Sequence, residues 1–472
     1  MKSYSSLVLF LLAISLPLKC QKYNIDIQIN GLKDTTLILG HYFEKKLLVN
    51  DTIMVDNTGK GIFSGDEKLP EGLYVIYLPD KNYFDFLVGK EQQLSIQTEN
   101  HDFLQNMKIT GSKESQNFLK YQKYLSSKQK LIMPLQEELK KVSNEDSVKL
   151  IKDQIMAIND EVMTYWDKAI QDNEGTFMSV FLRALKDIKI PDFKAPEGST
   201  NPDSIVQAEK YYYIRNHYFD NLDLTDDRLL RTPFFANKIE TYFTKIVVQI
   251  PDTMATEAIK LIEKSRPNPE MFKFMIQYLF NFAIESKMMG MDAMVVALGE
   301  KYYLSGEATW ADQKFLDDLE DRIKLIKPTL IGKQAHDLKM ESVTGEYYRL
   351  SEVNAPYTIL VFWEPSCGHC KKEIPILHDE VWQKYKSKGI KVFAVYTQSD
   401  KQEWSDFIDE HNLNDWINVY DPYHYTRFRD YYDINSTPVI YVLDKDKKIV
   451  AKRIGVENLS GFFDHEIKYG RL

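Results

Sequence analysis

The run "YTILVFW", residues 357–363, is followed four residues on by Cys367 and seven on by Cys370, and then by a helical stretch from Lys371 to Lys388, with Gly389 placed to stop it. An uninterrupted apolar strand of this kind is buried on both faces, so it demands a sheet covered by helices. Cys367 falls where the strand hands over to the helix. Its sulfur is expected to face the unpaired N–H groups and positive dipole end of that helix, which stabilise thiolate. Cys370 lies one turn further in and is more shielded. The arrangement reads as one attacking and one resolving sulfur, with Gly368 and His369 between them tuning the pair: a nearby imidazolium favours the thiolate.

Other uses of a Cys-x-x-Cys pair fit less well. A structural zinc needs four ligands, and only His369, His378 and distant acids could complete the set. A c-type haem needs His after the second cysteine, where Lys371 stands. A peroxide-reducing cysteine would want Thr or Ser three residues before it and Pro seven before; Glu364 and Leu360 occupy those places. A merely structural disulfide stays open at this level. No metal and no cofactor beyond a redox-active Cys367–Cys370 disulfide are expected.

At 472 residues the chain exceeds one ordinary domain. Sixty basic against 69 acidic side chains, with no Lys/Arg-rich run, argue against nucleic acid as a partner. Residues 1–20, with Lys2 before an apolar run from Leu7 to Leu18, read as a signal peptide, with cleavage near Cys20 and a lipid anchor on Cys20 as the minor alternative. The expected location is the periplasm, with a soluble mature protein.

Residues 21–111 read as an all-β, sandwich-like antiparallel module. "DTIMVDNTGKGIFSG" is expected to form one hairpin, and "LYVIYLPDKNYFDFLV" a second that turns at Pro79 to Asn82. Residues 112–327 read as helical. The stripe Val148, Ile151, Ile155, Ile158 and Val162 is assigned to intrachain packing, as is the aromatic cluster of Tyr211 to Tyr213, Tyr218 and Phe219. Prolines in "QIPDT" and "SRPNPE" read as breaks, and Met288, Met289, Met291 and Met294 as core filler. Residues 328–472 alternate strands and helices and end in a late hairpin, the pattern of an α/β domain with a mixed sheet.

"ILVFWEPSCGHCKKEIP" together with "INSTPVIYVLDKDKKIVAKRIG" resembles the thioredoxin superfamily in its TlpA/ResA branch. The match rests on Trp363 before the cysteines, Pro375 five residues beyond Cys370, Thr437-Pro438 and Gly455. The wide separation of Cys367 from Pro438 is similar to that branch, which carries an insertion. The resemblance implies a thioredoxin-like fold, a cis-proline at Pro438 facing the sulfurs, Thr437 setting the environment of Cys367, and a kink at Pro375. It implies exported disulfide- or thiol-containing proteins as partners and a membrane thiol donor of electrons. Val361 fills the place of the family's buried Asp. Glu373, three residues after Cys370, then has two readings: a carboxyl that carries the proton of Cys370, or a solvated helix acid. The upstream order of modules resembles exported proteins of Bacteroidota.

The chain is therefore expected to be an exported thiol-disulfide oxidoreductase, chiefly a reductase. The competing expectation is a periplasmic or surface module that binds protein or glycan and carries a redox-inactive thioredoxin-like scaffold.

Overall fold

The computed structural model describes residues 22–472. The expected signal peptide and Cys20 lie outside the described residues. Two compact units divide the chain, one running to Ile246 and the other Val247–Leu472, so the helical stretch read over 112–327 is shared between them. Among the described residues no helix is long and apolar enough to cross a membrane.

The first unit opens with strands β1 (Tyr23–Asn30), β2 (Thr36–Phe43), β3 (Lys46–Met54), β4 (Lys60–Gly65), β5 (Gly72–Tyr77), β6 (Tyr83–Val88), β7 (Gln93–Glu99) and β8 (Lys108–Thr110). They form two four-stranded sheets, ordered β4-β1-β7-β8 and β3-β2-β5-β6. In β1 the apolar residues Ile25, Ile27 and Ile29 are buried and alternate with more exposed polar ones, as a half-buried strand requires. The β5–β6 hairpin forms as the sequence suggests. The other expected hairpin does not. β3 pairs with β2 and β4 with β1, so "DTIMVDNTGKGIFSG" carries the chain from one sheet to the other. Asp56 holds the crossing by accepting from the N–H groups of Thr58 and Lys60, and Gly59 takes the left-handed φ of +76°. β1 and β7 run parallel, against the antiparallel expectation, because β2 to β6 intervene and return the chain in the same sense.

Helices Lys113–Leu139 and Glu145–Asp172 follow, capped by Ser112 and Asn144. Of the expected stripe only Ile151 is fully buried; Val148, Ile155, Ile158 and Val162 are half-buried. Tyr218 and Phe219 pack against Tyr242 within the same unit, while Tyr212 is exposed.

In the second unit, Pro251 and Pro269 stand in the first turns of helices Pro251–Ser265 and Pro269–Glu285 rather than between elements. Proline suits that position, since the first-turn N–H has no helical partner and φ is preset. Helices Asp292–Leu298 and Gln313–Ile326 lead into the sheet. Its strands are β9 (Lys339–Ser342), β10 (Tyr347–Arg349), β11 (Tyr357–Trp363), β12 (Lys391–Tyr396), β13 (Ile417–Tyr420), β14 (Val439–Asp444) and β15 (Ile449–Lys452). The spatial order is β10-β9-β13-β12-β11-β14-β15, with β11 to β13 parallel and the other pairs antiparallel. β11 is fully buried. Tyr357, Ile359, Val361 and Trp363 enter one core, with Cys370, Ile374 and Trp404, while Leu360 and Phe362 enter the core on the other face with Phe428 and Tyr441. The sheet therefore has two dry faces, as the apolar run requires, and the cysteine helix is anchored on one of them.

A dithiol at a strand-to-helix junction

β11 ends at Trp363, whose ring is fully buried and packs 5.0 Å from Phe407. The chain then turns over four residues. The N–H of Cys367 donates to the carbonyl of Glu364 at 3.3 Å, and Cys367 caps the helix Gly368–Ile376 in an extended conformation, φ −76° and ψ 123°. Cys367 is half-buried and Cys370 fully buried, and both thiols are free. Pro375 lies inside the helix, which passes at Leu377 into a wider turn over Leu377–Trp382.

The opposing wall comes from the segment that leads into β14. β14 pairs antiparallel with β11, Phe362 facing Val439, so the residues just before Val439 arrive beside the end of β11. Thr437-Pro438 is a cis peptide, as the resemblance implied. The Cys367 thiol donates to the Thr437 carbonyl at 3.2 Å.

The two sulfurs differ in their electrostatics. Burial pushes the Cys367 thiol up, but hydrogen bonds from the Thr437 side chain, the Cys370 and His369 backbone N–H groups and the Cys370 thiol outweigh it, leaving Cys367 below the ordinary range. Burial dominates at Cys370 and pushes it up to about 12. At neutral pH the outer sulfur is the better-stabilised thiolate and the inner one holds its proton.

Of the other residues singled out from the sequence, His369 and Gly368 are exposed at the start of the helix, and Lys371 and Lys372 face water. Val361 is buried in the same core as Cys370, so no carboxyl stands in that part of the sheet face. Glu373 is half-buried; its backbone carbonyl accepts from the N–H of Leu377, while its carboxylate enters no hydrogen bond or ion pair among the described residues. A different carboxyl reaches the site. Glu364 accepts from Thr397 at 3.1 Å, from Gln398, and from the Thr437 hydroxyl at 3.3 Å. Reading from the sequence passed over Glu364 except as a mismatch to another cysteine chemistry. Its partners lie on distant stretches of chain, and its place directly after the buried strand was the one available signal.

The segment carrying Thr437 is tied down from two sides. Asp433 is 1% exposed and accepts from both Nη groups of Arg322, at 2.6 and 2.7 Å, and from Arg453 at 2.7 Å. Arg322 belongs to the helix Gln313–Ile326, ahead of the sheet. Burial works to raise Asp433, and the two guanidiniums more than offset it, so its carboxyl lies below the usual range.

A reactive and a shielded thiol at the end of a central strand, opposite the residue that precedes a cis-proline, define a thioredoxin-like site. The AhpC/TSA family model matches residues 331–452, and residues 23–118 match a Domain of unknown function (DUF4369). The thiol-disulfide oxidoreductase ResA of Bacillus cereus is 27% identical over 135 residues, which span 28% of this chain and 76% of that one. The ResA of Bacillus subtilis is 25% identical over 134 residues, 28% of this chain and 73% of that one. Among solved structures, a domain of a possible thiol-disulfide isomerase from Cytophaga hutchinsonii is 47% identical, covering 30% of this chain and 95% of that chain with a TM-score of 0.28. A thioredoxin-like protein from Bacteroides caccae is 19% identical over 60% of this chain and 99% of that chain, with a TM-score of 0.44. The C-terminal part of the chain is thus a thioredoxin-like domain of the ResA-type thiol-disulfide oxidoreductases.

Proposed function

We propose that the chain is an exported protein-disulfide reductase in which Cys367 attacks and Cys370 resolves. The observation that carries this reading is the asymmetry of the pair: a half-buried sulfur held below the ordinary thiol range beside a buried one pushed up to about 12. The Cys367 thiolate attacks one sulfur of a substrate disulfide, forms a mixed disulfide and expels the other substrate sulfur as a thiolate. Cys370 then loses its proton and attacks the Cys367 sulfur, forming the Cys367–Cys370 disulfide and releasing the second substrate thiolate. Two electrons pass to the substrate, whose thiolates take up two protons, one from Cys370 and one from solvent. An external dithiol, here a membrane thiol donor, returns the electrons.

Pro438 has no backbone N–H and lies just ahead of β14, leaving an edge beside the sulfurs where an extended substrate backbone could lie. Thr437 supplies the carbonyl and hydroxyl next to Cys367. The shielding of Cys370 delays its attack until a substrate sulfur is attached. Export is supported by the apolar run from Leu7 to Leu18 and the scarcity of cysteine outside the pair.

The test is reduction of insulin by the full-length dithiol protein, with Cys370→Ala used to trap partners through Cys367. Absence of both insulin reduction and mixed disulfides would sink the redox reading in favour of a binding module on an inactive scaffold. The potential of the pair against glutathione sets direction: a value near roughly −270 mV supports reduction, and one near roughly −120 mV an oxidant.

A further inference from the structure

The second unit contains a cavity of about 700 Å³ between its helices and the β15 end of the sheet. Its size is that of a small-molecule site, and its walls divide into two kinds. One side is apolar and deformable, formed by Phe280, Ile284, Met288, Met289 and Phe315. Methionines on a cavity wall adapt to the shape of what enters. The other side is charged. Lys287, Arg322, Lys452 and Arg453 face Asp292, Asp318 and Asp433, four cations against three carboxylates.

Lys287 and Asp318 make no ion pair among the described residues, and the pairs that do form on this wall leave one guanidinium without a carboxylate of its own. Lys452 is 4% exposed and is neutralised by Asp292. Asp433 serves two guanidiniums at once and can neutralise only one. Each guanidinium carries five N–H donors, more than Asp433 takes from either, and Arg322 and Arg453 remain 42% and 39% exposed. Arg453 also holds a left-handed backbone, φ +51°, unusual for a side chain of its size, and in that conformation its guanidinium reaches Asp433.

We propose that this cavity binds an amphiphilic organic anion, its apolar body against the methionine and phenylalanine wall and its single acidic head on Arg322 and Arg453. The inference uses neither cysteine and stands apart from the redox reading. A neutral apolar ligand would leave the surplus guanidinium without a counter-charge, and a cationic one would add like charge beside it. An inorganic anion would leave the apolar wall uncovered.

The probe is dodecanoate, titrated calorimetrically below its micellar concentration into the full chain, with dodecyltrimethylammonium as the matched cation. Saturable binding of one dodecanoate per chain is expected, tighter than the cation by about tenfold or more, as one charge-assisted contact supplies. Arg453→Gln leaves the Arg322–Asp433 pair in place and should remove most of that preference. Ile284→Glu, at a residue 55% exposed, should weaken dodecanoate without disturbing the core. Equal binding of the two amphiphiles, no binding of dodecanoate, or wild-type binding by both folded variants would overturn the proposal.

Discussion

The Cys367 sulfur lies 3.2 Å from the carbonyl oxygen of Thr437, a residue 70 positions later in the chain. The thiol form donates to that carbonyl. The thiolate instead draws on the Thr437 hydroxyl and the N–H groups of His369 and Cys370. The contact therefore changes character with protonation, and reactivity at this sulfur should follow pH in a way the inner sulfur does not.

Alkylation by iodoacetamide resolves the two. In Cys370→Ala the rate at Cys367 should rise with a midpoint below that of an ordinary thiol. In Cys367→Ala the buried Cys370 should stay unreactive through neutral pH and approach reactivity only toward about 12. Mass spectrometry of the adducts reads both. Equal rates at pH 7 would contradict the assigned roles.

Glu364 and the Cys367 thiolate compete for one proton, that of the Thr437 hydroxyl. Glu364→Gln removes a carboxylate from the vicinity and weakens its hold on Thr437. The Cys367 midpoint should fall further, measured by thiolate absorbance near 240 nm in the Cys370→Ala background. Glu364→Ala, which also removes an acceptor from Thr397 and Gln398, should cost about 1–2 kcal/mol in urea unfolding. A midpoint that rises in Glu364→Gln would show that the carboxylate does not act through Thr437.

Asp433 supplies a test of stability against pH. Its carboxyl lies lower in the folded protein than in the unfolded chain, so its contribution is complete above the unfolded carboxylate range and is lost as pH falls through the folded value. Asp433→Asn should cost about 2–3 kcal/mol near neutrality, less than a fully buried pair because both arginines are partly in water. The gap between wild type and variant should narrow only in acid, below the usual carboxylate range. A gap that is constant with pH would mean the effect is one of packing alone.

Val361→Asp would place a carboxyl where the thioredoxin pattern has one, inside the predominantly apolar core that holds Cys370. The side chain is fully buried, so the substitution should destabilise by about 2–5 kcal/mol. Thermal and urea unfolding check this. A near-neutral outcome would reveal room or water beside Cys370.

The sequence made the central sheet legible because its signals are local. An apolar run that alternates between two cores, a helix stop at Gly389 in left-handed φ, and the β5–β6 hairpin depend on near neighbours. The first module is less legible for the converse reason. The turn at Asp56 to Gly59 looks the same locally whether it closes a hairpin or hands the chain to another sheet, and only the partners of β3 and β4 distinguish the two. Pro251 and Pro269 were ambiguous in the same way, since a proline that ends one element can begin the next.

What the sequence determined by itself was the dithiol and its setting: a strand that must be buried, a cysteine at its junction with a helix and a second cysteine one turn inside. Tertiary structure decided which groups surround them. It brought Thr437 to Cys367, Glu364 to Thr437, and Arg322 to Asp433 across 111 positions of chain. Hydrogen bonds and charges act over a few ångströms of space, and spacing along the chain carries no record of which distant residues will meet there.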